Sequence, residues 1–216
     1  MFQNLEEAAA ALTNLRLTHA VRAELPRMVL EALKHKDREV ATKYSFRLCF
    51  MKEGQHRKHG TPFYFDDRHA LVLFYESKAV ACASFHFGVE GKRKTEYIKI
   101  TQIQGCPFTK IKRVHGRRVL VDCPYLPLLR IVLDETAWED LLVALVVHLA
   151  RAFGSIKQVQ IQRAYDNAYW RHWTSQMTGK LGVEARAKNE RLKRRYDRTA
   201  ERCGFVLLNR RYVLKL

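Results

Sequence analysis

The sequence predicts a single α/β domain over residues 1–216, in which helices flank a mixed, mostly antiparallel sheet. Four segments repeat apolar residues every three or four positions, which is typical of amphipathic helices. Short alternating or strongly apolar runs lie between turn residues, which is typical of strands. The elements come as helices in 1–42, and then in 43–216 as an antiparallel meander followed by strand–helix–strand–helix–strand.

The predicted helices are 5–16, 18–40, about 138–153 and a basic helix over 184–203. In the second, Pro26 either occupies a first turn or marks a break between two helices. Asp134 or Thr136 is the expected N-cap of the third, and Gly154 is expected to end it. Gly204 is expected to end the basic helix.

The predicted strands are Tyr44–Phe50, Ala70–Glu76, Ala79–Phe87, Glu96–Gln104, Val159–Gln162 and a final hairpin of Phe205–Leu208 with Arg211–Leu216. Ser77 and Lys78 are expected to form the tight turn of the first hairpin. Alternation along Glu96–Gln104 places Ile103 on the face opposite Gln102 and Gln104, which are expected beside Ile98 and Ile100. Residues 105–135 read as irregular, with short strands possible at 118–122 and 128–133.

The net charge of +17 is concentrated in two segments. Residues 91–119 hold nine Lys or Arg and one acid, and residues 170–216 hold thirteen Lys or Arg and four acids. Everything else has 17 basic and 17 acidic residues. A single basic run is consistent with a solvated face, but two runs beside a neutral body favour a phosphate-bearing partner, either a nucleic acid or a phosphorylated cofactor.

Several protein classes are disfavoured by composition. The longest apolar run, seven residues from Leu141, is too short for a membrane span, so no membrane partner is expected. The N-terminus carries two Glu and no basic start, unlike a signal peptide. Five Cys without a CxxC pair favour reduced, buried thiols in a cytoplasmic protein.

The C-terminal segment RRYDRTAERCGFVL, Arg194–Leu207, places Gly204-Phe205 between a helix and a terminal strand. With the hairpin Leu71–Phe85, the strand Glu96–Gly105 and the helix and strand of Ala137–Gln162, it resembles the GNAT (N-acetyltransferase) superfamily over about residues 70–216. Asn167 also stands where that family often has Asn. The resemblance implies a GNAT-like fold and transfer of an acyl group from acetyl-CoA to an amine.

The family's cofactor loop, Gln/Arg-x-x-Gly-x-Gly/Ala between the fourth strand and the helix, is absent here. Gln102–Cys106 offers one Gly, and about 30 residues intervene before the helix. The resemblance therefore implies that acetyl-CoA is held by the fourth strand and by basic side chains of the insert instead of backbone amides. The cofactor-binding residues implied are Gln102, Gln104, Gly105, Lys110, Lys112, Arg113, Arg117 and Arg118.

The family's frequent general-acid Tyr lies four residues before the Gly of the Gly-Phe pair, where this chain has Ala200. Tyr196 lies one helical turn earlier on roughly the same face. The resemblance therefore implies Tyr196 as the catalytic acid that protonates the leaving thiolate, with packing inside the helix as the alternative.

A second candidate site is aromatic and basic. Aromatic faces next to Arg suit the stacking of nucleic-acid bases, although packing of the insertion against the body explains the same pattern. The expected nucleic-acid-binding residues are Arg163, Trp170, Arg171, Trp173, Lys193, Arg194 and Arg195. No metal site is expected, because His56 and His59 read as a loop and the Asp66-Asp67 pair as a turn.

Two functions remain open from the sequence. The first is a divergent acyl-CoA-dependent N-acyltransferase that acts on an anionic, possibly nucleic-acid-linked, amine. The second is a non-catalytic GNAT-fold protein that binds nucleic acid or forms part of an assembly. The basic segments near 106–135 and 170–194 coincide with insertions relative to the family, so their charge belongs to additions to a neutral scaffold.

Overall fold

A computed structural model describes the backbone of residues 15–50, 65–92, 94–106, 109–114, 117–122, 136–167 and 182–216, together with Phe63, Val132 and Trp170. The helices are α1 (Leu15–Ala32), α2 (Arg38–Thr42), α3 (Trp138–Phe153), α4 (Gly182–Lys193) and α5 (Thr199–Arg202). A 3₁₀ turn, Ala164–Asp166, follows the strand after α3, and a π-helical turn, Arg194–Arg198, joins α4 to α5.

The strands are β1 (Tyr44–Phe50), β2 (His69–Tyr75), β3 (Lys78–Glu90), β4 (Thr95–Gly105), β5 (Thr109–Val114), β6 (Arg117–Asp122), β7 (Gln158–Ile161), β8 (Val206–Leu208) and β9 (Arg211–Lys215). Seven of them form one sheet in the order β1-β2-β3-β4-β7-β9-β8, while β5 and β6 pair separately. Only the β4–β7 pairing is parallel in that sheet. The predicted α/β class, with a mixed and mostly antiparallel sheet flanked by helices, is confirmed.

Helix α3 is the crossover that makes the parallel pair possible, because a parallel neighbour requires the chain to return to the same end of the sheet. Its apolar residues lie around most of its circumference, and Leu142, Leu145 and Leu149 have no solvent exposure. They pack with the core side chains of the sheet, such as Ile100 and Val159, which are also fully buried. Burial of such side chains contributes roughly 1.5–3 kcal/mol each.

A β-bulge in β4 corrects the predicted alternation of that strand. Ser84 of β3 pairs with Gln102, whereas the next residue, Phe85, pairs with Ile100, so Thr101 is the extra residue on β4. An extra residue shifts the period-two alternation by one position. Ile103 is therefore buried in the core with Ile100, and the prediction that placed it on the opposite face is wrong.

Several local predictions are confirmed and others are corrected. β1 and α3 have the predicted bounds, and the final hairpin turns at Asn209-Arg210 as expected. Pro26, however, lies inside a continuous α1, so it neither starts nor breaks the helix. Residues 109–122, expected to be irregular apart from a short strand at 118–122, contain the β5–β6 hairpin. The predicted helix over 5–16 and strand over 128–133 lie almost wholly outside the described residues.

The predicted cap of α3 is wrong, because the N-cap residue is Ala137 and no side chain caps the helix. The Thr136 hydroxyl is instead used in a buried hydrogen bond of 2.6 Å with the Tyr44 hydroxyl at the start of β1. The Ala137 amide donates to the carbonyl of Ala32 at the end of α1. These bonds join α1, β1 and α3 at one end of the core.

Within the residues that the structure describes, none of the helices combines the length and apolarity needed to span a membrane. Cys49, Cys82 and Cys106 are buried, and no disulfide joins the described cysteines.

We expect Tyr44→Phe to lower the free energy of unfolding by about 1–3 kcal/mol, because the buried Thr136 hydroxyl would lose its partner. Thr136→Val should have a similar effect, and the double variant should lose less than the sum of the two single variants. Urea unfolding followed by circular dichroism measures all three.

The matched control is Thr42→Val, since the exposed Thr42 hydroxyl only bonds the Glu39 carbonyl in its own helix. We expect a change within about 0.5 kcal/mol for this variant. A Tyr44→Phe effect no larger than that of the control would contradict the assignment.

Candidate functional site

The pairing of strands β4 and β7 ends halfway along β4. Their parallel pairing runs from Tyr97 with Gln158 to Ile100 with Ile161, where β7 ends. β4 continues to Gly105 with β3 on one side and, among the described residues, no strand on the other. The bulge at Thr101 lies at the point of separation, so the sheet has a gap beside the second half of β4.

The backbone of this half of β4 presents hydrogen-bonding groups to the gap. The Cys106 amide donates to the Val80 carbonyl at 2.7 Å, which makes Ala81 and Gly105 a non-hydrogen-bonded pair of the antiparallel ladder. The amide and carbonyl of Gly105 therefore point away from β3. Two residues earlier, Ile103 has the same orientation, and its amide donates to a side chain across the gap.

That side chain is Tyr196, which the π-helical turn brings to the gap. Its ring is buried, and its hydroxyl oxygen accepts hydrogen bonds from the Ile103 amide and from Asn167 Nδ2, both at 3.2 Å. The hydroxyl proton faces the Thr101 carbonyl at 3.4 Å, which is longer than an ordinary O–H···O bond of about 2.5–3.0 Å. The Tyr196 proton is thus held only weakly within the protein.

Burial dominates the ionisation of Tyr196 and raises the pKa of its hydroxyl to about 12. The hydrogen bond from the Ile103 amide and the charge of Arg195 oppose this effect without overcoming it. The phenol is therefore protonated at neutral pH and acts as a hydrogen-bond donor, because it has no proton-accepting phenolate form there.

A cavity of about 180 Å³ is lined in part by Tyr196. Its lining is mostly polar and consists of Asp66, Gln102, Ile103, Gln104, Asn167, Leu192, Arg195 and Tyr196. The structure thus brings together Tyr196, Gln102 and Gln104, which the sequence analysis named separately. Gly105 ends the same strand, with its backbone facing the gap.

The two glutamine amides of the cavity are held in fixed orientations. Ser84 Oγ donates to Gln102 Oε1 at 2.5 Å, and the Asp66 amide donates to the same oxygen at 3.3 Å. Gln102 Nε2 in turn donates to Gln104 Oε1 at 2.9 Å. Such a chain orders the cavity wall before any ligand arrives.

Arg195 contributes a positive charge to the cavity wall. Its guanidinium lies 5.4 Å from the centre of the Trp138 ring, and its Nε is buried with no hydrogen-bond partner. The sequence analysis grouped Arg195 with the nucleic-acid-binding residues, but the structure places it in the cavity next to Tyr196.

A second polar cluster adjoins the bulge. His86 Nδ1 lies 2.6 Å from Asp67 Oδ2, and Thr101 Oγ1 donates to the same carboxylate oxygen at 2.9 Å. Burial alone would raise the pKa of Asp67, but the hydrogen bonds and charge of these partners lower it below its ordinary value. Loss of hydration and the charge of Asp67 have the opposite effect on Asp66, whose pKa is raised.

The predicted aromatic and basic residues form a separate surface cluster. The Arg163 guanidinium lies 5.6 Å from the Tyr165 ring centre, and Lys193 Nζ lies 5.7 Å from that of Trp170. The two rings are 6.2 Å apart. Arg163 is also paired with Asp166, and Lys193 with Glu190.

The remaining predicted residues are not brought together in the described structure. Lys110, Lys112 and Arg113 belong to β5, and Arg117 and Arg118 to β6, in the separate hairpin. Arg194 is exposed on the helix next to the cavity. Arg171 and Trp173, like His56 and His59, lie outside the described residues. No cluster of three or more potential metal ligands occurs among the described residues.

Sequence reasoning missed the roles of Asp66, Asp67 and His86. The two aspartates read as a turn before β2, and His86 as an interior or boundary histidine. Their proximity to Thr101 and Gln102 depends on the bulge and on pairing between distant strands, and neither leaves a local pattern.

No protein-family model matches the chain, and no curated protein sequence is significantly similar to it.

We expect Asp67→Asn to destabilise the protein at neutral pH by about 1–3 kcal/mol, because a charge-assisted hydrogen bond to His86 is lost. The lowered pKa of Asp67 means that its contribution is present above the unfolded value of about 3.9 and disappears as pH falls through the folded value. Urea unfolding at a series of pH values should show the variant and wild-type curves converging in acid.

Asp66→Asn is the control at the neighbouring residue, whose pKa is shifted in the opposite direction. Its raised pKa means that ionisation of Asp66 costs stability above its ordinary pKa, so this variant should be at least as stable as wild type at neutral pH. Equal losses in the two variants would contradict the assigned environments.

Proposed function

We propose that the chain is a divergent acyl-CoA-dependent N-acyltransferase of the GNAT type that acts on an anionic amine. The observation that carries this proposal is the gap beside β4, where backbone groups of Gly105 that face no described strand, a cavity and the buried Tyr196 side chain meet. An N-acyltransferase needs these parts, because it must hold an extended thioester, admit an amine and stabilise a leaving thiolate.

The order of the sheet supports the proposal. The resemblance to the GNAT superfamily implies a cofactor held along the fourth strand of the sheet, followed by a crossover helix and a parallel fifth strand. Here the parallel pair β4–β7 is joined by α3, and β4 is the strand whose backbone is left open. The Gly204-Phe205 segment leads into the terminal hairpin, which pairs with β7.

The second half of β4 offers the cofactor a partly formed ladder. The amide-containing arm of an acyl-CoA can add to this strand as an extended peptide would, by bonding the Ile103 carbonyl and the Gly105 backbone. The β5–β6 hairpin follows Gly105 after three residues and carries five Lys or Arg. These charges suit the phosphates of the cofactor in place of the missing glycine-rich loop.

The chemical step is a direct transfer. The neutral amine nitrogen attacks the thioester carbonyl carbon, a C–N bond forms and the C–S bond breaks, so the electron pair leaves on sulfur. The amine loses one proton to solvent, and the thiolate gains one. Tyr196 serves the leaving group, since its weakly held proton can pass from the Thr101 carbonyl to the developing thiolate, and the resulting phenolate then regains a proton from solvent.

Acetyl-CoA should raise the melting temperature of the chain. At about 100 times its Kd, it should stabilise the fold by roughly 2.7 kcal/mol. Differential scanning fluorimetry with acetyl-CoA, and with adenosine diphosphate as a probe for the nucleotide part alone, measures the effect. The absence of a shift at millimolar acetyl-CoA would reject the proposal.

Tyr196→Phe is the matching variant, since it should retain the acetyl-CoA shift and lose release of the free thiol in the presence of an acceptor amine. Tyr165→Phe, on the exposed cluster, is the control and should behave as wild type in both assays.

The aromatic and basic surface cluster favours a second candidate, nucleic-acid binding. Tyr165 is 61% exposed, and Arg163 and Lys193 lie over the two neighbouring rings. Exposed aromatic faces with adjacent cations bind single-stranded bases by stacking while cations neutralise phosphates.

For this candidate we expect single-stranded RNA to bind with a strongly salt-dependent affinity. With about six phosphates neutralised, the slope of log K against log salt for a single strand should be near −4. Fluorescence anisotropy measures it, and Tyr165→Ala should weaken binding by about 1–3 kcal/mol without altering the slope. Binding that is absent, or equally tight in Tyr165→Ala, would reject the cluster as the interface.

A further inference from the structure

The cavity beside Tyr196 is lined by the positive charge of Arg195, which acts through space on the carboxyl group of Glu139. Arg195 forms no ion pair in the described structure, and its buried Nε–H has no acceptor. The cation–π contact with Trp138 stabilises the guanidinium charge but gives the Nε–H no acceptor. A buried donor without an acceptor destabilises the folded chain, so an oxyanion that accepts from the Arg195 Nε–H would stabilise it.

The neighbouring cationic side chains differ from Arg195, because each of them is either ion-paired or exposed to solvent. Lys193, two residues earlier, is paired with Glu190 at 3.0 Å, and Arg202, at the end of the next turn of helix, binds Asp140 at 2.6 Å. Arg194 is exposed and hydrated by solvent. Arg195 alone of these four combines a place in the cavity wall with a buried donor that lacks an acceptor.

The same cavity contains a negative charge on Asp66. Its carboxylate forms no ion pair or hydrogen bond among the described residues, although its backbone amide is bonded to Gln102. Loss of hydration and the charge of Asp67 raise the pKa of Asp66. A nearby ammonium would therefore stabilise the ionised form of its carboxylate.

We propose that the cavity binds a small zwitterion, an amino acid whose carboxylate meets Arg195 and whose ammonium meets Asp66. The two side chains present one positive and one negative charge, which a zwitterion complements. A doubly charged phosphate would satisfy Arg195 but would face the carboxylate of Asp66. The volume of about 180 Å³ lies below the 300–1,000 Å³ of sites for larger ligands, so the ligand is small.

The inference rests on the proposed function for one point only, the role of the ligand. If the chain is an N-acyltransferase, the amino group held at Asp66 is the acyl acceptor once this ammonium has lost one proton to solvent, because Tyr196, which serves the leaving group, lines the same cavity. The anionic character assigned to the substrate is then its carboxylate, held by Arg195 through charge-assisted hydrogen bonds.

Differential scanning fluorimetry of the full chain with each standard L-amino acid as the probe tests the inference. At least one should raise the melting temperature at millimolar concentration, whereas its amide, its N-acetyl derivative and inorganic phosphate should not. An amide or an N-acetyl derivative as effective as the amino acid, an equal effect of phosphate, or no effect of any amino acid would overturn it.

Variants locate the binding site. Arg195→Gln should weaken binding of the amino acid by about tenfold or more, since a charged hydrogen bond is lost. Asp66→Asn should weaken it to the same extent. Arg194→Gln removes the same charge from the adjacent exposed position and should bind as wild type. Unchanged binding in Arg195→Gln would overturn the inference, and if that variant fails to fold, the comparison of acid with amide on the wild-type chain still decides.

Acetyl-CoA in a parallel series separates the two proposals. A shift with an amino acid and none with acetyl-CoA would reject the acyltransferase and leave the zwitterion site in place. A shift with acetyl-CoA and none with any amino acid would reject only the zwitterion site.

Discussion

The extra residue in β4 is the constraint on which the site depends. Before the bulge, Ile98 and Ile100 enter the core and the strand pairs with β7; after it, Ile103 enters the core and the pairing has ended. Without the bulge, alternation would expose Ile103 and bury the amides of Gln102 and Gln104 among apolar side chains. The shift of one residue thus preserves the core and at the same time turns backbone groups and polar side chains toward the gap.

Much of the fold could be predicted from the sequence because local patterns of apolar and turn residues indicate most of its strands and helices. The apolar run of α3, the alternation in β1 and the hairpin at Asn209-Arg210 were predicted with bounds close to those observed. The cap of α3 could not be predicted, since the Thr136 hydroxyl is hydrogen-bonded to the hydroxyl of Tyr44, a residue 92 positions away. A local rule assigns that hydroxyl to the nearest helix, and a tertiary contact overrides it.

The candidate site was predictable only in part, for a similar reason. Tyr196, Gln102 and Gln104 were singled out, and the structure places all three at one cavity. Arg195 was read as part of a basic surface, because charge along a chain does not reveal which side chain turns inward. The π-helical turn makes that distinction, since it changes the direction of Arg195 and Tyr196 relative to the regular helix on either side.

Among the residues that the structure describes, the gap beside β4 is also an unpaired strand edge in the middle of a sheet. Such an edge attracts any extended chain, including a segment of another molecule, and is a route to aggregation. Tyr196 and Gln162 partly protect it, since the first accepts from the Ile103 amide and the second donates to the Thr101 carbonyl. These side chains satisfy only the inner end of the edge, near Thr101 and Ile103, so among the described residues Gly105 is the part of the edge that is left uncovered.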